Sequence, residues 1–229
     1  SIFELGPVFF GNEPGDQSDV LTVIRSGFKY EKSWIEKNRE FDLFDIKADL
    51  ISCLKTIGFN HHIFKQKNEN VGYFHPGKSG CFYLGHDKIA DLGEIHPNIL
   101  KKFDIDNCVN VFELSLTKII SFYKNNTISK KELKTSPYQS SIRDFSFEMK
   151  KEILSHDIIS LVKKIDSTLI KDVSIFDHYE GKGLEKNYKS ISVEVKIQSD
   201  IKTLTENEIQ DLSKKIIDRI SNNFSARLR

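Results

Sequence analysis

The sequence has few of the residues that cross-link small secreted domains or bind structural metals. Its 229 residues include only three cysteines, one methionine and one tryptophan. Cys53, Cys81 and Cys108 are widely spaced and form no C-x-x-C pair, which favours free thiols in a reducing compartment. No apolar run approaches the roughly 18 residues of a membrane-spanning helix, and no secretory signal pattern opens the chain. These absences predict a cytoplasmic chain without a membrane partner.

An excess of charge of one sign is also lacking. The chain has 34 basic and 33 acidic residues, a formal net charge of +1. From Ser136 onward there are 16 basic and 15 acidic residues, which leaves 18 of each before it. Charge alone therefore predicts no nucleic-acid partner for either half.

Motifs for independent catalysis are missing as well. Gly181-Lys182-Gly183 lies between two predicted strands and lacks the pattern of a phosphate-binding loop. The histidines, including His61 and His62, do not fall at metal-ligand spacing. Glu94 and His96 are one residue apart, a spacing too common to indicate an acid–base pair. We expect no catalytic residue, metal or cofactor in this chain.

The first half mixes strands, turns and helices. Apolar patterning predicts strands at Phe3–Phe10 and Val20–Ser26, and a helix at Phe44–Ile57 that Gly58 ends. Short strands follow, with a turn expected at His75-Pro76-Gly77-Lys78. A polar stretch ending near Pro137 indicates a boundary, so we expect domains at 1–125 and 136–229 joined by a linker at 126–135.

The second half has a clear element order. Strands are predicted at Arg143–Met149, Leu169–Tyr179, Ser190–Gln198 and Ala226–Leu228, with helices at His156–Ile165 and after the capping box Thr205-Glu206-Asn207-Glu208. This β-α-β-β-α-β order is that of a ferredoxin-like domain, whose two helices cover one face of the sheet. The other face is left for a partner.

Two polar residues on one predicted strand suggest a use for that face. Asp177 and Tyr179 are two positions apart, so both side chains lie on one side of the strand. A carboxylate beside an aromatic ring can accept a hydrogen bond from an unpaired base that stacks on the ring. Ser190, at the start of the next strand, could add a hydroxyl. The alternative to a base-binding site is a solvated sheet edge with a half-buried tyrosine. The residue pattern alone favours this alternative.

Several segments, in order along the chain, resemble the β subunits of bacterial phenylalanine–tRNA ligases. Each is modest alone, but the ordered set is specific and covers nearly the whole chain. The matching segments are Ile2–Phe9, Asp42–Asp49 (with Ala48 where glycine is usual), Tyr73–Ser79, Gly93–Pro97, Arg143–Phe147 (with Ile142 replacing an arginine), Phe176–Gly181, Lys189-Ser190, Thr203–Thr205 and Ala226–Arg229.

The resemblance implies the C-terminal part of such a subunit, an α+β chain with two domains. Residues 1–125 would be a class II synthetase-like antiparallel sheet with helices, and 136–229 a ferredoxin-fold anticodon-binding domain. The chain opens within a predicted strand and has no initiator methionine, which also suggests a piece of a longer polypeptide. The family's enzyme is an (αβ)2 heterotetramer that joins phenylalanine to tRNA(Phe), with ATP and Mg²⁺ bound in the catalytic α subunit.

The resemblance also implies roles for particular residues. Asp177, Tyr179 and Ser190 match positions that contact the first anticodon base, and Lys182, Lys186 and Lys189 could attract phosphates or be solvated loop lysines. The stretch Phe3-Glu4-Leu5-Gly6 lacks the arginine that clamps substrate in an active class II site. We therefore expect a non-catalytic chain that binds tRNA and supports the α subunit; a purely structural protein–protein scaffold is the alternative.

Overall fold

The computed structural model describes residues 1–35, 37–59, 63–69, 71–125 and 135–229. The chain divides into two compact units, Ser1–Lys131 and Glu132–Arg229. All but the last residue of the expected linker 126–135 lies outside the described residues, as do His61 and His62.

The first unit is a six-stranded antiparallel sheet with helices. The elements are β1 (Ile2–Phe9), β2 (Gln17–Ser26), α1 (Leu43–Ile57), β3 (Phe64–Lys67), β4 (Phe74–Leu84), β5 (Asp87–Ile95), α2 (Pro97–Lys102), β6 (Val109–Ser115) and α3 (Leu116–Asn125). The strands follow the order β1-β2-β6-β5-β4-β3, and the apolar faces of the two longer helices, α1 and α3, contact strands β2 and β5.

Local sequence explains where α1 begins and ends. The Asp42 carboxylate accepts hydrogen bonds from the Phe44 and Asp45 amides, and the Asp45 side chain accepts one from the Asp42 amide. This reciprocal capping satisfies backbone donors that have no partner within the helix. Gly58 ends the helix in a left-handed conformation with φ of 107°. The helix therefore presents its buried leucine and isoleucine side chains to the sheet from a fixed position.

The turn expected at His75–Lys78 is wrong, because these residues lie inside β4. Phe74 pairs with Ile95 and Ser79 with Gly93, so four residues of β4 face the single residue Glu94 of β5. Such a bulge lets Pro and Gly stay in a strand without breaking the sheet. The four-residue edge strand β3 was not anticipated, since its sequence Phe-Lys-Gln-Lys has little strand character.

The second unit has the predicted ferredoxin-like order of elements: β7 (Ser141–Lys150), α4 (Ser155–Ile165), β8 (Ile170–Tyr179), β9 (Tyr188–Ile197), α5 (Glu206–Phe224) and β10 (Arg227–Leu228). Its antiparallel sheet follows the order β10-β7-β9-β8. Helices α4 and α5 pack on one face over a core that includes Phe147, Ile191 and Val193, all fully buried. The predicted α+β fold class is confirmed. We call the sheet face away from α4 and α5 the open face.

The capping box predicted from the sequence opens α5. The Thr205 hydroxyl accepts a hydrogen bond from the Glu208 amide at 3.4 Å, and the Glu208 carboxylate accepts one from the Thr205 amide at 2.9 Å.

Within the described residues, no helix is both long and apolar enough to cross a membrane.

Candidate nucleic-acid interface

Strand register places the predicted site residues together on the open face. Tyr179 pairs with Ser190, and Asp177 pairs with Ser192 on the same neighbouring strand. Directly opposed residues in an antiparallel pair project their side chains to the same side. Ile191 and Val193 alternate with Ser190 and Ser192 along β9 and are fully buried on the helix side. Asp177, Tyr179 and Ser190 therefore share the face that the helices leave uncovered.

A bulge in β8 lies directly before this group. Ile175 pairs with Val193 and Asp177 with Ser192, so Phe176 has no partner on β9 and is 59% exposed. A bulge changes which face the following residues present. Without it, the alternation that buries Ile175 would have turned both Asp177 and Tyr179 towards the helices.

The ring of Tyr179 is exposed but held in place. Tyr179 is 41% exposed, and its hydroxyl donates a hydrogen bond to the Lys182 carbonyl at 3.1 Å. A Cβ atom added at Gly181 would lie 2.6 Å from the Tyr179 hydroxyl oxygen and 2.8 Å from Cζ. The absence of a side chain at Gly181 thus allows the loop to close against the ring.

Three serine hydroxyls lie close together on the open face, on strands β7 and β9. The Ser146 hydroxyl is 3.1 Å from the Ser192 hydroxyl and 3.4 Å from the Ser190 hydroxyl. Ser190 and Ser192 are buried, at 3% and 9% exposure. Each hydroxyl can both donate and accept, and the contact with Ser146 restricts the directions in which the Ser190 hydroxyl can point.

The three predicted lysines are placed differently from one another. Lys182 and Lys186 are exposed in the loop between β8 and β9. Lys189 is only 6% exposed, and its ammonium donates a hydrogen bond to the Ile153 carbonyl at 2.6 Å. It pairs with the buried Met149, on the helix side of the sheet. Burial lowers the pKa of Lys189. We therefore remove Lys189 from the residues proposed to contact phosphate.

An exposed ion pair lies next to Tyr179. The Glu180 carboxylate lies 2.5 Å from the Lys151 ammonium and 3.6 Å from His178 Nε2. The hydrogen bond from Lys151 lowers the pKa of Glu180 below its ordinary value. Glu180 therefore stays charged near neutral pH and keeps this end of β8 tied to the segment after β7.

Some open-face residues were missed from the sequence. Ser146, Ser192 and Tyr188 lie on the same face as Ser190, Ser146 through the hydroxyl contacts above and the other two by strand alternation. Counting every second residue back and forward from Ser190 would have found Tyr188 and Ser192. Ser146 needed the pairing of β7 with β9, which the sequence pattern does not give.

The face combines an exposed ring, a carboxylate acceptor and oriented hydroxyls on a rigid sheet. That combination suits an unpaired base, which needs a surface for stacking and polar groups for its edge.

The acid–base pair considered at Glu94 and His96 does not form: the Glu94 carboxylate accepts from Lys78, and His96 Nδ1 accepts from the Asn98 amide. The described residues contain no cluster of three or more His, Cys, Asp or Glu side chains suited to a metal.

Two family models match the chain. Residues 136–229 match the ferredoxin-fold anticodon binding domain, and residues 1–116 match the phenylalanyl tRNA synthetase beta chain CLM domain. The solved structure of Desulfitobacterium hafniense PylSc, a pyrrolysyl tRNA synthetase, superposes with a TM-score of 0.39 at 14% identity, covering 57% of this chain and 45% of that chain.

Curated relatives match along the full chain. The phenylalanine–tRNA ligase β subunit of Paramagnetospirillum magneticum is 35% identical over 228 residues, and that of Rhodospirillum rubrum is 33% identical over 228 residues. The β subunit of Ehrlichia ruminantium is 34% identical over 230 residues. Each match covers 100% of this chain, which spans only 28–29% of those relatives' length. The resemblance inferred from the sequence motifs is confirmed, and the chain belongs to the phenylalanyl-tRNA synthetase β chain family.

Proposed function

We propose that this chain acts within phenylalanine–tRNA ligase and that its second unit binds the anticodon region of tRNA(Phe). The observation that carries the proposal is the Tyr179 ring, exposed on the open face beside Asp177 and opposite Ser190. The family match of residues 136–229 supports the same role.

The chemistry of the three side chains supports recognition of a base. Stacking of one base on an aromatic side chain is worth about 1–3 kcal/mol. The Tyr179 hydroxyl already donates to Lys182, so the ring face, rather than the hydroxyl, is what remains for the base. An ionised Asp177 only accepts hydrogen bonds, and therefore favours a base edge that carries donors. Lys182 and Lys186, both exposed, add attraction for the RNA backbone.

The first unit is proposed to support the catalytic α subunit in an (αβ)2 heterotetramer in the cytoplasm. Strand β1 exposes large apolar side chains, with Phe3 at 76%, Leu5 at 63% and Phe9 at 67%. Exposed apolar area of this kind on an edge strand is suited to a protein partner. The resemblance implies that ATP and Mg²⁺ bind in the α subunit, and the proposal keeps that division; strand β1 carries no arginine. The boundary between the two roles is proposed to be the linker 126–135.

The test is binding of an anticodon stem-loop RNA to the whole chain. We expect Tyr179→Ala to weaken binding by about tenfold or more, the lower part of the range for a lost stacking contact. Phe176→Ala is the matched control, because Phe176 is also an exposed aromatic residue of β8 but sits at the bulge. Circular dichroism would check that both variants stay folded. Equal affinity of wild type and Tyr179→Ala would contradict the proposal.

The second candidate is a structural scaffold in which the open face packs on protein. The half-exposed ring of Tyr179 would then be an ordinary contact residue. Comparing a matched stem-loop with one whose anticodon is exchanged separates the two candidates: base recognition predicts a clear preference for the matched loop. A scaffold predicts equal and weak binding of both.

A further inference from the structure

A cleft at the end of the second sheet lies beside the proposed base site. It has a volume of about 500 Å³ and is lined by Lys150, Lys151, Glu152, Lys186, Asn187 and Tyr188. Three of these six residues are basic and one is acidic, in a unit whose overall charge is nearly balanced. The cleft is therefore a local positive region, which attracts phosphate even where the net charge is small.

Strand register connects this cleft to the base site. Tyr188 and Ser190 are two residues apart on β9, and Tyr188 pairs with Lys150. By alternation, Tyr188 and Lys150 lie on the open face, like Ser190 and Tyr179. Two residues of a strand span roughly 7 Å, which is of the order of one extended nucleotide. An RNA strand that runs along β9 from a base on Tyr179 would bring its next nucleotide to the cleft.

The lysines of the cleft are not equally available. Lys151 is committed to Glu180 at 2.5 Å, within the exposed ion pair next to Tyr179. Lys150 lies 3.8 Å from Glu152, a loose exposed pair that contributes little. Lys186 is exposed in the loop. Lys150 and Lys186 are thus the residues whose ammonium groups can turn to a phosphate.

We propose that this cleft is a second nucleotide site, which binds the phosphodiester adjoining the base on Tyr179 through Lys150 and Lys186. The half-buried ring of Tyr188 forms its wall and contacts the sugar or base of that nucleotide. The inference rests on the proposed function, since it extends the same RNA strand by one nucleotide. The occupant is single-stranded RNA because the cleft combines basic groups with an aromatic wall.

The test measures how the affinity of the whole chain for the stem-loop depends on salt. Each phosphate contact with single-stranded nucleic acid contributes about 0.7 to the slope of log affinity against log salt. We expect the double variant Lys150→Gln, Lys186→Gln to reduce that slope by about 0.7, because both lysines bind the same phosphate. The matched control is Lys214→Gln, Lys215→Gln, which removes the same charge from exposed positions of α5. It should leave the slope unchanged.

A chemical change in the RNA sharpens the test. One phosphate at a time in the loop is replaced by an uncharged methylphosphonate. At the linkage that occupies the cleft, wild type and the double variant should then bind equally, whereas at other linkages their difference should persist. Tyr188→Leu should also weaken binding and Tyr188→Phe should not, because only the former removes the ring.

The outcomes separate this inference from the proposed function. A slope that falls no more for the cleft variant than for the α5 variant overturns the second site, even if Tyr179→Ala abolishes binding. If instead the cleft variant lowers the slope while Tyr179→Ala has no effect, the phosphate site stands and the base site on Tyr179 is wrong.

Discussion

The two sheets of the chain share an arrangement but present different side chains on the face that their longer helices leave uncovered. In the first, Glu4, Thr22, Glu113 and Asp91 form one row across four strands. In the second, the corresponding face also carries carboxylates, including Asp177 and Glu148, but adds the exposed ring of Tyr179. An exposed ring offers a base a surface for stacking, which the acidic row of the first sheet lacks. Two sheets of similar arrangement therefore differ in the side chains that they offer to a ligand.

The acidic row of the first sheet is also tied into its own structure. The Tyr73 hydroxyl donates to Glu113 at 2.7 Å, and the Lys88 ammonium lies 3.0 Å from Asp91. Burial, together with Glu113, raises the pKa of Tyr73 well above its ordinary value. These carboxylates already have protein partners, whereas the Asp177 carboxylate of the second sheet is exposed. We therefore expect substitutions on the first face to affect stability, and those on the second to affect binding.

The largest expected effect tests whether each sheet has its own core. Phe147→Ala removes a fully buried ring from the second unit and should lower the free energy of unfolding by about 3–5 kcal/mol. Hydrogen exchange followed by mass spectrometry should show faster exchange in 141–228 and unchanged exchange in 74–115. Equal loss of protection in both units would show that the two units unfold together and do not have independent cores.

A smaller effect is expected from Gly93→Ala on the first sheet. A Cβ atom at this position would lie 2.7 Å from Cγ of the buried Phe74 ring and 3.0 Å from Ser79 Cβ. Because a buried ring cannot easily move, we expect a loss of about 1–3 kcal/mol in the free energy of unfolding, measured in urea. Gly6→Ala is the matched control, since nothing lies within 4 Å of its Cβ position.

The same substitution on the second sheet should act on binding instead. Gly181→Ala places a Cβ atom 2.6 Å from the Tyr179 hydroxyl oxygen, at the end of an exposed side chain that can swing away. We expect a several-fold loss of stem-loop affinity, less than the roughly tenfold or greater loss of Tyr179→Ala, with little change in the urea midpoint. A variant that unfolds more easily yet binds RNA normally would remove the contrast between the two faces.

The smallest effect concerns the capping boxes, one in each unit. The hydrogen bond from Lys202, aided by the Thr205 amide, lowers the pKa of Glu208 from its ordinary 4.5 to about 2. A lowered pKa contributes stability above pH 4.5 that is lost as the pH falls towards 2. The wild type should therefore lose slightly more stability than Glu208→Gln over this range, measured as the urea midpoint. Glu208 is exposed, so solvent screens its interactions. Urea midpoints that fall equally with pH in the wild type and in Glu208→Gln would show that this screening is complete.

The same device is stronger in the first unit. The Arg39 guanidinium and the Lys29 ammonium both contact Asp45, the second member of the α1 capping box, at 2.6 Å and 2.9 Å. The hydrogen bond from Arg39 holds the pKa of Asp45 well below its usual range. Asp45→Asn should therefore flatten the acid side of the stability profile more than Glu208→Gln does.

The sequence predicted the second unit better than the first. Strand β9 alternates regularly, and Ile191, Val193, Val195 and Ile197 were expected on one face and are fully buried. The first unit contains the bulge at 75–78, where Pro and Gly, which ordinarily indicate a turn, lie within a strand. Local residue preference cannot reveal such a feature, because pairing with β5 stabilises it.

At the candidate site, the sequence predicted which residues meet but not how. Asp177 and Tyr179 share a face as expected, yet they reach the open face because of the bulge at Phe176. The contact of Tyr179 with Gly181 and Lys182 depends on a loop conformation that strand periodicity does not encode. The burial of Lys189 was not predicted: we expected a phosphate-contacting or solvated lysine, although alternation with Ser190 places position 189 on the helix side.

Lys189 has a practical consequence for mutational mapping of this unit. Its ammonium is hydrogen-bonded to the Ile153 carbonyl, so it links β9 to the turn that precedes α4. If the proposed function is correct, replacing Lys189 would loosen the backbone beside the cleft and weaken RNA binding indirectly, because its buried ammonium contacts protein. A survey that neutralises lysines one by one would score this position as a contact, and only its normal salt dependence would reveal the mistake.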